Sequence, residues 1–263
     1  MELVDDRGQD TVKLRTLPGI RGLIAIIGIL ACVTSPSYAT HKVYSPHVEA
    51  GELEIEVRGH VDFDDDNDLD DAHRELFEIG YAFTDWWLTS IFLEYEKEPH
   101  GQYGHAATAW ENIFELTEPG RYWLDFGLYV EYEDPAGSGP QQLEFKGLFE
   151  KQVSRFVNTG NLIFEREVGN NASSDIEVAY AWRTKYQLRQ EFQPALELYG
   201  DLGELDGLEI NGDQQHQAGP VASGKFSLGN ESSISYEFGY LFGLTDDSPD
   251  GAVKWRLEFE YEF

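Results

Sequence analysis

Large apolar residues alternate with charged or polar residues along most of the chain after residue 50. The clearest run is Trp255–Phe263, in which five apolar residues alternate with Arg256 and three glutamates. A period of two predicts β-strands, because successive side chains of a strand point to opposite faces of the sheet. We predict twelve such strands between Leu53 and Phe263.

Two of these strands are less regular than the others. Arg166 falls on the apolar face of the seventh strand, and the tenth, near residues 217–226, is rich in glycine and contains Pro220. The links after odd-numbered strands are long, whereas those after the second, fourth and tenth are tight, with Glu118–Gly120 as the fourth turn. The links after the sixth and eighth strands are longer than tight turns and do not follow this order.

A soluble sheet also alternates, but it has no reason to sort its loops by parity. A transmembrane barrel has short turns on one side and longer loops on the other, with apolar residues facing lipid and polar residues facing the lumen. Closure removes the sheet edges, which lipid would not tolerate. The pattern therefore predicts an all-β fold, a transmembrane antiparallel up-and-down β-barrel of about twelve strands over residues 40–263.

The first 39 residues have the features of a secretory signal peptide. Three basic residues precede an apolar run at 22–33, and Ser37 and Ala39 provide the small residues of a cleavage site. An alternative is the segment Ile29–Cys32, which resembles a lipoprotein cleavage box, so lipidation of Cys32 stays open. A cut after Ala39 would leave a barrel exported through the inner membrane, without a free thiol.

Two segments resemble those of known barrels. Trp255–Phe263 is similar to the C-terminal signal that the barrel assembly machinery reads in Gram-negative outer-membrane proteins. Gly80–Trp86 resembles a strand–turn–strand of a loosely defined set of proteobacterial barrels, which are classed as transporters but whose functions are mostly unassigned. The resemblance covers residues 50–263 and implies the cell outer membrane, contact with lipid and lipopolysaccharide, and the assembly machinery as a partner. It implies nothing about substrate.

The chain is strongly acidic, with 49 Asp and Glu against 19 Lys and Arg and a net charge of −30. This balance excludes nucleic acid as a partner, since phosphate binding requires basic patches. The residues predicted to line the lumen are Glu54, Glu56, Arg58, His60, Asp125, Glu131, Glu144, Lys146, Glu177, Arg183, Glu197, Glu237, Arg256 and Glu258.

Carboxylates outnumber bases in this set, so a hydrated lumen would concentrate cations and repel anions. The alternative is that Arg58, Lys146, Arg183 and Arg256 pair with the carboxylates and cross-link the wall. We favour the hydrated lumen, because the bases are too few to pair every acid. No long loop provides an obvious plug.

Other chemical motifs are weak. In the acidic run Asp62–Asp71, Asp64, Asp66 and Asp68 are candidate metal ligands, but the positions at which a calcium loop needs Gly and Glu are Asn67 and His73. We therefore favour a solvated loop. None of the seven histidines forms a tight pair, and His41 and His47 are expected in a flexible start of the mature chain. The sequence contains no cofactor motif and no catalytic element, so we do not predict an enzyme.

Together these features predict a pore or transporter-like barrel for small solutes, leaning to cations. The alternative is a non-conducting barrel that acts as a scaffold, such as a sleeve for an electron-transfer or secretion partner, or as a surface-interaction protein. Catalysis at the rim is a third possibility, which would require clustered Ser and His or Asp and His.

Overall fold

A computed structural model describes residues 41–208 and 214–263; the predicted signal peptide and the Cys32 alternative lie outside them. This part of the chain forms twelve strands. Their bounds are β1 Glu52–Phe63, β2 His73–Thr84, β3 Trp87–Lys97, β4 Gly104–Glu115, β5 Asp125–Pro135, β6 Gln141–Val153, β7 Phe156–Val168, β8 Glu177–Tyr186, β9 Gln193–Glu204, β10 His216–Ser227, β11 Ser232–Gly243 and β12 Gly251–Glu262.

Each strand pairs antiparallel with its neighbours in sequence, and β12 pairs with β1 to close the barrel. The closing register runs without interruption from Glu52 opposite Glu262 to Phe63 opposite Gly251. The predicted fold, a twelve-stranded antiparallel up-and-down barrel, is therefore confirmed. No helix within the described residues is long and apolar enough to cross a membrane.

The barrel carries its apolar residues outside and its charged residues inside. In β12, Leu257 is 50% exposed, whereas Lys254 and Glu258 are 2% and 8% exposed. Isoleucines and leucines such as Ile79 form the outward surface midway along the strands, and aromatic residues such as Phe83 and Phe263 lie toward the ends. Soluble proteins bury their apolar residues, so this arrangement is the reverse of theirs. It is typical of a transmembrane barrel, in which an apolar band between two aromatic girdles faces lipid.

The two rims differ in their links. The terminal rim, where β1 begins and β12 ends, has the links 85–86, 116–124, 154–155, 187–192 and 228–231. The opposite rim, here called the loop rim, has 64–72, 98–103, 136–140, 169–176, 205–215 and 244–250, of which residues 209–213 are not described. The longer links lie at the loop rim, as predicted, apart from residues 116–124 and 187–192.

Two predicted links are wrong. The tight turn expected at Glu118–Gly120 is part of a longer link, because β5 begins only at Asp125, whose carboxylate accepts a 2.9 Å hydrogen bond from the Gly120 N–H. Conversely, β6 and β7 are joined by only two residues, and Ser154 has a positive φ of 57°. The sixth strand is longer than the apolar pattern indicated, because Glu150, Lys151 and Gln152 near its end are polar on both faces.

The two irregular strands keep the predicted alternation. Arg166 does lie on the outward face with Leu162, near the loop end of β7. In β10, Pro220 and Gly219 pair with β9 but not with β11. Proline has no N–H to donate, so a gap in one of the two ladders is the expected result.

The outward face of the barrel predicts how stability depends on depth. Ile79, midway along β2 and 55% exposed, should face the bilayer centre, whereas Phe63 ends β1 at the loop rim. We expect Ile79→Arg to lower the free energy of unfolding by roughly 2–4 kcal/mol and Phe63→Arg by only about 0–1 kcal/mol. Reversible denaturation in lipid vesicles measures both, and equal costs would contradict the membrane orientation.

Candidate functional site

The charged residues that alternate with the outward positions share one interior surface. The buried members of the predicted lumen set are Glu56, Arg58, His60, Asp125, Glu131, Glu144, Lys146, Arg183, Glu197, Glu237 and Glu258. Glu54, Glu177 and Arg256 are half-buried. The structure thus brings the whole set together inside the barrel.

Residues 41–50, here called the lumen segment, run inside the barrel. Near the terminal rim, the Val48 N–H donates to Glu115, the last residue of β4, at 2.9 Å. At the other end His41 lies 2.6 Å from Gln217, near the start of β10 at the loop rim. The segment therefore extends from one rim toward the other, and the expectation that His41 and His47 lie in a flexible start of the mature chain is wrong. Its contacts with the wall are specific to individual side chains, which periodicity does not reveal.

Tyr44 is the central contact of the lumen segment. Its N–H donates to Asn161 Oδ1 and its carbonyl accepts from Asn161 Nδ2, both at 2.8 Å, so one side chain on β7 binds both main-chain groups. Its hydroxyl donates to Glu111 at 3.0 Å, and its ring packs 4.7 Å from that of Tyr129. The Lys146 ammonium lies 4.4 Å from the Tyr44 ring centroid, which is a favourable cation–π position. Tyr44 is thereby fixed in both main chain and side chain.

The end of the segment nearer the loop rim binds both acidic and basic residues of the wall. The Lys42 ammonium lies 3.1 Å from Glu56 and 3.7 Å from Glu78, so it adds a base to an acidic part of the wall. The His41 carbonyl accepts hydrogen bonds from Lys254 Nζ at 2.5 Å and from the Tyr199 hydroxyl at 2.7 Å. This end therefore adds one more partner to wall residues that are also paired within the wall, such as Glu56 with Arg58 and Lys254 with Glu197.

At the end of the segment nearer the terminal rim, a histidine lies among three carboxylates. His47 lies 3.3 Å from Glu150, 3.8 Å from Asp125 and 3.9 Å from Glu115, which belong to β6, β5 and β4. The hydrogen bond with Glu150 is the main reason that the pKa of His47 is raised above its usual value, although partial burial opposes the shift. The imidazolium form is therefore favoured while the segment is seated.

Ion pairs also cross the lumen directly. Arg183 on β8 pairs with Glu237 on β11 at 2.6 Å, and Lys254 on β12 pairs with Glu197 on β9 at 2.7 Å. Arg58 on β1 forms ion pairs with Glu56 on the same strand and with Glu78 on β2. The cross-linking that we considered as the alternative to a hydrated lumen is thus present for Arg58 and Arg183, and also for Arg256, which pairs with Glu56 on β1 and Glu237 on β11. Lys146 differs, because its carboxylate partner, Glu144, lies on the same strand.

Six glutamates on the consecutive strands β4 to β9 lie directly opposite one another in the register of neighbouring strands. This glutamate ladder consists of Glu111, Glu131, Glu144, Glu165, Glu177 and Glu204. It begins within β4 and reaches the loop rim at Glu177 and Glu204, because the strands of a barrel are tilted. Directly opposed like charges are destabilising. Among the ion pairs between described residues, one involves the ladder, Lys146 with Glu144 at 2.8 Å.

Sequence reasoning missed several residues that hold the segment. Lys254 lies one residue before the final alternating run, which continues in phase through it. Tyr199 is an aromatic residue that faces inward, in phase with the predicted lumen residue Glu197. An alternation extended beyond the clearest residues would have found Lys254. Nothing in the pattern marks Asn161 as a ligand for main-chain groups.

The candidate metal sites receive no support from the described residues. No group of three or more His, Cys, Asp or Glu side chains among them could hold a metal ion. In the acidic loop, carboxylates of Asp64 and Asp66 accept hydrogen bonds from backbone N–H groups two residues later, at 2.6 and 3.0 Å. Asp68 is an exposed member of the same loop.

No protein-family model matches the chain, and no curated protein matches it in sequence. Among solved structures, the KdgM porin has a TM-score of 0.47 and 10% identity, covering 80% of this chain and 99% of the porin. The translocator domain of the autotransporter NalP from Neisseria meningitidis has a TM-score of 0.44 and 12% identity, with 82% and 90% covered. Omp33 from Acinetobacter baumannii has a TM-score of 0.40 and 10% identity, with 82% and 100% covered. The fold assignment rests on the strand pairing of this chain itself.

Asn161 should control how firmly the lumen segment is seated. Asn161→Ala removes two hydrogen bonds and leaves two buried main-chain groups of Tyr44 without partners, at roughly 1–3 kcal/mol each. Val43 is 3% exposed, so a thiol placed there by Val43→Cys in a Cys32→Ser chain should be protected. We expect Asn161→Ala to speed its labelling by a water-soluble reagent about tenfold or more.

Asn158→Ala is the matched control for this measurement. Asn158 lies on the same strand but bonds Thr184 and the Lys151 carbonyl instead of the segment. Labelling that is unchanged in Asn161→Ala, or equally fast in both variants, would mean that Asn161 does not hold the segment.

The histidine contacts predict that the segment loosens as pH rises. A raised pKa means that protonated His47 stabilises the seated segment fully below its ordinary pKa, about 6.5, and that this contribution is lost as pH rises through the raised value. We expect labelling of Val43→Cys to accelerate over that window, beyond the ordinary ionisation of a thiol. Glu49→Cys, at an exposed position, measures that ordinary effect. A pH dependence that persists in His47→Gln would assign it to another group.

Proposed function

We propose that this protein is an outer-membrane pore for small cationic solutes that is held closed by the lumen segment. The observation that carries the proposal is the seat of residues 41–50 inside a wall that is itself complete. The segment contributes no strand to the barrel, so its departure would leave all twelve strand pairings in place.

Several features support the outer membrane as the location. A closed barrel with an apolar outer band is one of the two structures that can span lipid. Both ends of the strand series lie at the terminal rim, whose links are mostly short, as expected for the periplasmic side. The aromatic C-terminal strand, Trp255–Phe263, fits the role of a signal for the assembly machinery, and the outward aromatic residues fit contact with lipid and lipopolysaccharide.

The glutamate ladder supports a preference for cations. It places carboxylates along a path from the middle of the lumen to the loop rim, where Glu177 and Glu204 face the mouth. A low-dielectric wall lined by one sign of charge concentrates counter-ions. Small solutes with a positive charge would therefore be favoured over anions in an opened lumen.

A second candidate is a non-conducting barrel that acts as a scaffold. The pairs Arg183–Glu237 and Lys254–Glu197 favour it, because they cross the lumen without any help from the lumen segment. If they block passage by themselves, the barrel would serve a partner at its surface and not a solute inside it.

Planar-bilayer conductance of residues 40–263 tests the pore against the scaffold. In the wild type we expect a mostly closed channel. A Cβ at Gly127 would lie 2.9 Å from Pro46 of the segment, so Gly127→Ala should disfavour the closed state and raise the open fraction roughly fivefold or more. Gly147→Ala is the matched control, since a Cβ there meets only the Phe149 side chain.

The same recordings test charge selectivity. Under a salt gradient the open channel should favour cations, and Glu165→Gln with Glu177→Gln should move the reversal potential toward zero. Glu75→Gln, whose partner is Tyr103, removes a charge outside the glutamate ladder and should not. A folded barrel that conducts in none of these variants, nor after deletion of residues 41–48, would exclude the pore and favour the scaffold.

A further inference from the structure

The lumen segment is bound in the manner of an extended peptide. Wall side chains hold its main chain at three separate residues. Asn161 binds the N–H and carbonyl of Tyr44, Glu115 accepts from the Val48 N–H, and Lys254 donates to the His41 carbonyl. Main-chain contacts of this kind supply affinity in peptide recognition, whereas side-chain pockets supply specificity.

Three wall features would serve as side-chain pockets. Lys42 lies between the carboxylates of Glu56 and Glu78. The Tyr44 ring lies against Tyr129, with its hydroxyl bonded to Glu111. The third is formed at Gly127, where the missing side chain leaves room for Pro46, which is fully buried. The spacing selects a basic residue two positions before a tyrosine, with a proline two positions after it.

The charge of the wall favours a basic occupant. Lys42 forms ion pairs with Glu56 and Glu78, and His47 lies among three carboxylates at the other end. The segment thus places positive groups where the wall has an excess of carboxylates. A neutral peptide would remove one cationic partner from Glu56 and Glu78, which would keep their ion pairs with Arg58, and an acidic peptide would add a like charge beside them.

The connection to β1 explains how a modest intrinsic affinity would keep the site occupied. Only Glu49–Gly51 separate residues 41–48 of the lumen segment from β1, and Glu49 and Ala50 are exposed. A short tether holds its ligand at an effective concentration on the order of millimolar. A free peptide with the same contacts lacks this advantage and would bind only when the segment has left.

We propose that the barrel lumen is a binding site for an extended basic peptide and that residues 41–48 are its tethered occupant. The proposal rests on the proposed function in one respect, that the segment can leave the lumen. The ligand class is a peptide of about eight residues with the spacing basic–x–Tyr–x–Pro. Such a ligand would compete with the segment for Asn161, Glu56 and the Tyr129 pocket.

The test separates the segment from a barrel that has already folded. A specific protease site inserted between the exposed Glu49 and Ala50 allows the tether to be cut in the refolded protein. The probe is the synthetic peptide His-Lys-Val-Tyr-Ser-Pro-His-Val with a fluorescent label, followed by anisotropy. We expect binding to the cut barrel and none to the uncut one, whose site is occupied.

Two changes test the contacts themselves. A probe carrying Lys42→Glu, and a cut barrel carrying Asn161→Ala, should each weaken binding roughly tenfold or more, as expected for loss of charged or buried hydrogen bonds. Asn158→Ala in the cut barrel should leave binding unchanged. A charge-reversed probe that binds as tightly as the original would overturn the proposal.

The conductance of the same cut sample distinguishes this proposal from the pore. If the segment leaves and the barrel conducts but the probe does not bind, the peptide site is excluded and the pore stands. If the segment leaves and the probe binds but the emptied barrel does not conduct, the peptide site stands and the pore is excluded. Release of the segment with neither conductance nor probe binding would exclude both.

Discussion

The constraint on which the rest of this structure depends is that lipid cannot satisfy a backbone N–H or carbonyl. The chain meets it by pairing β12 with β1, so that no strand has a free edge. Closure then fixes the orientation of every side chain. The apolar half of each alternation faces the bilayer, and the charged half is enclosed, whatever those charges would prefer.

Enclosing an acidic wall creates a second constraint, because buried carboxylates need partners. The wall supplies some itself, since Arg183 and Lys254 reach across the lumen to glutamates on other strands. The lumen segment supplies others through Lys42 and His47. The interior is therefore balanced by two groups of bases, one fixed in the wall and one carried on a segment that belongs to no strand.

This division gives the lumen segment its significance. Bases in the wall can stay paired whatever the segment does, but Glu56, Glu78 and the three carboxylates around His47 lose a partner if it leaves. An emptied lumen would then attract either small cations or a basic peptide, for the same electrostatic reason. The pore and the peptide site are thus two consequences of one excess of carboxylates.

The sequence by itself determined the strands, their number and the face on which each residue lies. Alternation is a local property, so Leu257 and Glu258 could be assigned to opposite faces without knowing their neighbours. It also placed Arg166 on the outward face, which the structure shows. Strand ends were less certain: Glu118–Gly120 was expected as a tight turn because apolar residues follow it, although Asp125 begins the next strand.

Only the tertiary structure decided what fills the lumen. Register across six strands aligned the glutamate ladder, and no single strand contains more than one of its members. The seat of Tyr44 depends on Asn161, which is 117 positions away in the chain. Alternation reports the face of a residue but not its height in the barrel or its partner across the lumen. The height and the partner of a residue follow from how twelve tilted strands close into a barrel. Because alternation does not report them, the sequence gives no sign that the wall binds residues 41–50.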